Sequence, residues 1–226
     1  MEPRVSDALG RYLDVRYSAQ ARPYTSYPDA LCAYLGEHHL PSRGRLLDLG
    51  SGRGEFLHGF RTLGFDVMGV DRALPQDRRF VEPVKVADFE RDGLPFADDS
   101  FEVVFNKSVL EHVTDVTRVL DECRRVLVPG GRLVSMVPDW RSQWRHFYDD
   151  WTHVRPFTLN GLSECVTSHG FAIVHAERFR QLPFLWKRPY LGFVADIATL
   201  LPDRMKTSKL VRFSKERMLL VVATKR

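Results

Sequence analysis

Short apolar runs alternate with amphipathic stretches along most of the chain. Residues 29–39 carry a helical pattern and predict a helix ahead of the core. Arg45–Leu49 is a buried-strand run that ends in glycines. Residues 55–63 place Phe56, Leu57, Phe60 and Leu63 at helical spacing. Residues 66–70, 84–87 and 101–105 read as three further strands. Residues 113–127 predict a long amphipathic helix, with Val116, Val119, Leu120, Cys123 and Leu127 on one face. Pro129-Gly130-Gly131 is the expected stop, and 132–137 the next strand. A helix over Leu159–Ser168, a strand over 171–177 and a last strand over 218–223 complete the pattern. Strands alternating with helices imply right-handed crossovers and a mainly parallel sheet covered on both faces.

About 40 residues separate the last two strands, and they include the apolar and aromatic stretches 182–186 and 190–201. The expectation is a helical insertion over 178–215. It can cover an active site, pack on the core or touch a membrane.

Composition changes this picture little. The chain has 226 residues, enough for one α/β domain over 1–226 with a proper core. Neither a repeat nor a low-complexity linker interrupts it. It holds no apolar run of the roughly 18–20 residues a membrane span needs. The opening MEPRVSDALGRY lacks the apolar core of an export signal, so a cytoplasmic protein is expected. Cys32, Cys123 and Cys165 are few and scattered, which fits buried thiols in a reducing compartment. No metal centre is expected. His38 and His39 are adjacent and cannot share a helix face, and His146, Asp149, Asp150 and His153 read as a solvated loop.

Charge is more informative. The net charge is +4, yet from Arg178 onward twelve Lys and Arg face only three acids. The basic surplus is therefore C-terminal. It suits either an anionic partner, such as a phosphorylated substrate or a membrane surface, or a solvated basic face.

The chemistry concentrates at strand ends. Leu46-Leu47-Asp48-Leu49-Gly50-Ser51-Gly52-Arg53-Gly54 runs from a strand through a glycine turn into a helix. Glycines there allow positive φ and close approach of a ligand. An acid two residues before the first glycine suits a cofactor with a cationic amino group better than a pyrophosphate. Asp71, about 20 residues on at the next strand end, can accept two ribose hydroxyls. Asp88 can accept from an adenine amino group, with Phe89 as apolar cover. Asn106-Lys107-Ser108-Val109-Leu110-Glu111-His112-Val113 leaves the fourth strand where a reacting group would sit.

DLGSGRGEF, GVD, ADFE, LPFADDSFEVVFNKSVLEHV and RVLVPGGRLV together resemble the class I S-adenosylmethionine-dependent methyltransferases, in particular the broad group often called type 11. DWTHVRPFT and HGF extend the resemblance to about residue 176. The resemblance implies a Rossmann-like α/β fold: a seven-stranded, mostly parallel sheet with an antiparallel last strand beside 171–177 and helices on both faces. It implies S-adenosylmethionine as cofactor. Gly50, Gly52 and Gly54 would make room for its methionine part, Asp48 would hold its amino group, and Asp71 with Arg72 would bind its ribose side. Asp88 and Phe89 would contact adenine, and the Asn106 and Lys107 backbone would lie near the sulfonium. The side chains of Asn106 and Lys107 sit where relatives vary.

Methyl transfer to a hydroxyl gains from a general base; transfer to an amine can rely on positioning. His153 is the candidate base, with substrate contact or a structural turn as its other readings. His112 reads mainly as helix-start packing. Trp140, Trp144, Phe147, Tyr148 and Trp151 form an aromatic run, read evenly as acceptor wall or core. Tyr24, Trp140, Tyr148 and Arg155 are the candidate acceptor contacts, and residues 1–40 a helical N-terminal lid. The expected acceptor is a small molecule, sugar or lipid-linked glycan, with peripheral membrane contact through 182–201. A cofactor-binding partner subunit without catalysis and an RNA methyltransferase are the alternatives. The absence of an RNA-binding module argues against nucleic acid. The oligomeric state is left open.

Overall fold

The sheet is built outward from a buried central strand. A computed structural model of the chain describes residues 7–76 and 78–226. The first six residues of the expected lid thus lie outside the described residues. Among the described residues the strands are β1 (Arg45–Leu49), β2 (Asp66–Asp71), β3 (Val84–Val86), β4 (Phe101–Lys107), β5 (Leu127–Pro138), β6 (Phe171–Phe179) and β7 (Met218–Lys225). They form one seven-stranded sheet in the order β3-β2-β1-β4-β5-β7-β6. β1 to β5 pair parallel, whereas β7 slots between β5 and β6 and runs antiparallel to both.

The helices are α1 (Asp7–Tyr17), α2 (Tyr27–His38), α3 (Glu55–Thr62), α4 (Val116–Val126), α5 (Trp140–Gln143), α6 (Leu159–Ser168), α7 (Pro183–Lys187), α8 (Gly192–Thr199) and α9 (Lys209–Lys215). Strand alternation divides the core between the two faces of the sheet. Leu47 and Leu49 point to a layer with Val119, Leu120 and Cys123 of α4 and Leu162 and Val166 of α6. Leu46 and Phe105 point to the opposite layer, with Leu31 and Leu35 of α2 and Leu57 and Phe60 of α3.

Local chemistry explains where elements depart from their expected bounds. The long helix starts at Val116 rather than 113, because the Asp115 carboxylate accepts from the Arg118 N–H and caps it there. A 3₁₀ turn over Leu110–His112 occupies the intervening space. The helix ends at Val126, so Pro129-Gly130-Gly131 does not stop it. That triplet lies within β5, where pairing with β4 jumps from Phe101↔Leu127 to Val103↔Arg132. Between β6 and β7 come α7, α8 and also α9, whose helical character the apolar pattern did not reveal. They rest on a small core of their own, made by Leu182, Leu185 and Ala195. No helix among the described residues is long and apolar enough to cross a membrane.

Gly69 in β2 lets α3 and β3 close on the sheet. A Cβ there would stand 2.7 Å from Ser51 Oγ, 2.8 Å from Leu57 Cδ1 and 2.9 Å from Val84 Cγ2. Gly69→Val is expected to cost about 1–3 kcal/mol by overpacking, read as a lower denaturant midpoint with an unchanged slope.

Candidate functional site

The site lies at the carboxyl ends of β1, β2 and β4, where the strand order reverses. From β1 the chain proceeds to β2 and β3 on one side, and β4 and β5 build the other. In such sheets that switch point leaves a crevice for ligands. Here it is a cavity of about 550 Å³.

The glycine loop forms its floor. Gly50 N–H donates to Val70 O at 2.8 Å, and Gly52 N–H to Asp71 Oδ2 at 2.7 Å. Gly50 has φ 75°, and a Cβ on it would stand 2.4 Å from Val109 Cγ2, so only glycine fits. Gly54, φ 79°, turns the chain into α3. Asp71 is thus tied to the loop it serves, and it also accepts from Arg72 N–H at 2.7 Å. Burial raises its carboxyl above the usual range, and these N–H donors work against the rise.

Asp48 lies on the cavity wall at 2% exposure, and its Oδ2 has no hydrogen-bond partner. Burial, with the Asp71 charge nearby, pushes its carboxyl well above the usual range. An unsatisfied buried carboxyl facing a cavity calls for a cationic donor. A ligand's ammonium group fits that need.

Phe89 is buried on the wall, and the Arg72 guanidinium sits 5.3 Å from its ring centre. Asp88 stands off the wall, 3.5 Å from Arg72 Nε and accepting from Arg91 N–H. Arg72 also pairs with Glu90, whose other oxygen accepts from Thr114 and Asp115 N–H. Asn106 is fully buried and donates to Ser135 Oγ at 2.9 Å. Lys107 does reach the wall with its side chain, and burial draws its ammonium down to about 8.

The N-terminal segment closes the cavity. Tyr12, Tyr17, Arg22 and Pro23 are on its wall. Arg53, from the glycine loop, holds this segment down. Its guanidinium donates to Tyr17 O at 3.2 Å and Arg22 O at 2.7 Å, pairs with Glu55 and lies 4.1 Å from the Tyr24 ring centre. The sequence carried no signal for this clamp, because Arg53 looked like a loop residue between glycines.

Opposite the glycine loop is a relay of side chains. His112 is on the wall, and its Nδ1 is 2.9 Å from Thr152 Oγ1. Thr152 Oγ1 donates to Asp150 Oδ1 at 2.7 Å. Thr152 Oγ1 also lies 3.2 Å from Tyr12 Oη, so its one proton is shared among three neighbours; when it goes to Asp150, His112 Nδ1 is the donor to Thr152 and the imidazole proton sits on Nδ1. Tyr12 Oη and Arg16 reach Asp150 Oδ2, each at 2.9 Å. Burial disfavours the Asp150 anion, but hydrogen bonds from Thr152 and Tyr12 and the Arg16 charge outweigh it and hold the carboxyl below its usual range. Burial and the neighbouring His153 draw His112 down to about 4, so its ring is neutral at physiological pH.

His153 stands behind this wall, its ring 4.6 Å from that of His112 and its Nδ1 2.5 Å from Phe147 O. Tyr24, Trp140, Tyr148 and Arg155 are also away from the wall. Tyr24 Oη accepts from Arg79 N–H, Trp140 packs edge-on against Phe147, Tyr148 is exposed, and Arg155 donates to Thr114 O. Trp151 and Thr152 are the members of that segment on the wall, with Val154. The expectation that no metal-ligand cluster exists needs one correction. Donor atoms of Glu111, His112 and His153 lie within 4.8 Å of one another, brought together by the 154–155 backbone bonding to Glu111 O. Burial pushes the Glu111 carboxyl up to about 8.

Comparison with known proteins gives the family and the fold. A family model described as "Methyltransferase domain" matches residues 19–176. A malonyl-[acyl-carrier protein] O-methyltransferase of Methylococcus capsulatus is 30% identical over 189 residues, covering 74% of this chain and 68% of its own. A ubiquinone biosynthesis O-methyltransferase of Cereibacter sphaeroides is 38% identical over 103 residues, 42% of either chain. Among solved structures, an S-adenosylmethionine-dependent methyltransferase of Mesorhizobium loti superposes with TM-score 0.62 at 19% identity, over 87% of this chain and 98% of its own. Phosphoethanolamine N-methyltransferase 2 of Haemonchus contortus, in complex with S-adenosyl-L-methionine, gives TM-score 0.64 at 16% identity, over 96% and 59%. The fold is Rossmann-like, and the chain belongs to the class I S-adenosylmethionine-dependent methyltransferases.

Proposed function

We propose that the chain methylates an oxygen of a small molecule, sugar or lipid-linked glycan, with His112 taking the acceptor's proton. The observation that carries this reading is the Asp150–Thr152–His112 relay, which ends in a neutral imidazole on the cavity wall. The two relatives compared by sequence are both O-methyltransferases by name.

S-adenosylmethionine supplies a methyl group on a positively charged sulfur. Asp48 holds the amino group of this cofactor, and Asp71 accepts its ribose hydroxyls with lone pairs left beside the Gly52 and Arg72 bonds. Phe89 covers the adenine, with Asp88 and Arg72 behind it. The N-terminal segment, as a lid, excludes water. With the cofactor bound, His112 would accept the proton that the acceptor oxygen gives up on methylation. Thr152 and Asp150 stabilise the imidazolium that results. In this reading His153, the base expected from the sequence, positions His112 from behind.

We further propose that the chain rests on a membrane through 182–201. Tyr190, Phe193, Ile197 and Leu200 recur at helical spacing and are 72%, 58%, 58% and 83% exposed. Exposed Lys187 and Arg188 flank them. An apolar stripe beside basic side chains suits an anionic lipid surface.

Two outcomes are expected. First, His112→Asn lowers turnover on a responsive acceptor about 10²–10⁴-fold while S-adenosylhomocysteine affinity stays within about threefold; the acceptor is found by transfer of labelled methyl into fractionated extracts. Only protonated His112 is inactive, so the acid limb of kcat/KM falls near about 4, well below the usual histidine range. Full activity in the variant removes His112 as base. Second, Lys187→Glu with Arg188→Glu abolishes sedimentation with anionic vesicles; unchanged sedimentation removes the membrane contact.

A further inference from the structure

A second cavity, of about 330 Å³, opens beyond β5 between residues 142–146 and the helical insertion. Its wall is made largely of cations. Arg145, Arg178, Lys206, Lys215 and Arg217 face it, and Asp203 is the one acid on the wall among the described residues.

The cations are unevenly matched. Arg178 is fully engaged by Asp139, through Nε at 2.6 Å and an outer nitrogen at 2.5 Å. Lys215 and Lys206 share the half-exposed Asp203, at 2.6 and 3.9 Å. Lys206 also stands 3.6 Å from Glu216, which Arg212 already holds at 2.8 Å. Among the described residues Arg217 pairs only with the exposed Asp196, at 3.8 Å, through the oxygen that also pairs with Arg180. Arg145 is in no ion pair among the described residues and lies over the Trp144 ring. Burial, together with the charges of Arg180 and Arg178, pulls the Arg217 guanidinium below its usual range.

An independent observation points into the same space. Ser214 is 0% exposed, lines the cavity, and its Oγ has no hydrogen-bond partner. A buried hydroxyl without a partner is a donor in want of an acceptor. A planar guanidinium fork, ammonium point charges and a hydroxyl converging from different elements match an oxyanion with several equivalent oxygens.

We propose that this cavity binds a phosphate group, held by Arg217, Lys206 and Arg145 with Ser214 donating to it. Arg217 is well placed for this role, because its backbone is locked. Asp139 N–H and the Gln143 side-chain amide both donate to its carbonyl, and its own N–H donates to Ser142 Oγ. The group can belong to a soluble phosphorylated molecule or to a phospholipid. Thr199, on the wall, adjoins Leu200 of the exposed apolar stripe. The inference stands apart from the reading of His112 as base, since no residue of the relay borders this cavity.

The test is calorimetry with inorganic phosphate at fixed ionic strength, on protein saturated with S-adenosylhomocysteine so that the first cavity is filled. Saturable binding is expected. Arg217→Gln should weaken it at least about tenfold, Arg217→Lys less, and Ser214→Ala severalfold. Arg145→Gln, at an exposed position that cannot disturb the core, should weaken it by a measurable factor of about three. S-adenosylhomocysteine affinity and the melting curve should stay unchanged throughout, which separates lost binding from lost fold. No saturable binding, or equal affinity in all four variants, overturns the proposal. Phosphatidylcholine vesicles with and without phosphatidic acid then distinguish the sources. Binding that needs phosphatidic acid, is lost in Arg217→Gln and is displaced by phosphate assigns the site to lipid. Phosphate binding with no preference between the vesicles assigns it to a soluble phosphorylated molecule.

Discussion

A carboxyl oxygen of Asp48, buried at the end of β1 with no protein donor, sets the terms for the whole cavity. Leaving such a group unmatched costs about 1–3 kcal/mol. The surrounding sheet must supply that stability elsewhere, through the aliphatic layers packed on both faces of β1. The cost would fall when a cationic group enters, so in the proposed reading ligand affinity and fold stability are linked through this one atom. Asp71 shares the constraint in milder form. Its oxygens are partly satisfied by Gly52 and Arg72, so it keeps the loop in shape while retaining lone pairs for a ligand.

The lid and the acceptor side are tied to a single carboxylate. Asp150 accepts from Tyr12 and pairs with Arg16, both in α1, and it also accepts from Thr152, which orients His112. Lifting α1 would remove two of the groups that hold Asp150 in its ionised form. In the proposed reading, the proton-accepting geometry is therefore complete only with α1 in this position. Arg53 adds a second tie, from the glycine loop to the backbone of residues 17 and 22.

What the sequence disclosed depended on distance along the chain. The glycine loop, Asp48 and Asp71 lie within about 25 residues of each other, and their roles follow from strand ends and turns that local pattern reveals. The relay draws on Tyr12, His112, Asp150 and Thr152, separated by up to 140 positions, and no spacing rule joins them. His153 drew attention because it sits in an acid- and aromatic-rich segment. That segment instead turns His153 inward to Phe147 and sends Trp151 and Thr152 to the wall. Tyr148 likewise looked like a wall residue and points to solvent. The β7 placement was legible through the family resemblance, which implies an antiparallel last strand beside 171–177, and the observed pairing agrees. The α9 helix was not, since its stability comes from Leu210 and Phe213 packing on α7 and α8 rather than from its own pattern.

The C-terminal basic surplus has a structural explanation that composition alone could not supply. Lys187 and Arg188 are exposed beside the apolar stripe of α8, whereas Arg178, Lys206, Lys215 and Arg217 line one partly exposed cleft. Crowding cations there raises the electrostatic energy of the folded chain, and the available carboxylates offset it only in part. A solvated basic face would have no such cost, because its charges could spread apart in water. The cluster is what the proposed phosphate would complete. It lies at the same carboxyl edge of the sheet as the first cavity, since Arg178 is near the end of β6 and Arg217 immediately precedes β7, beside the end of β5.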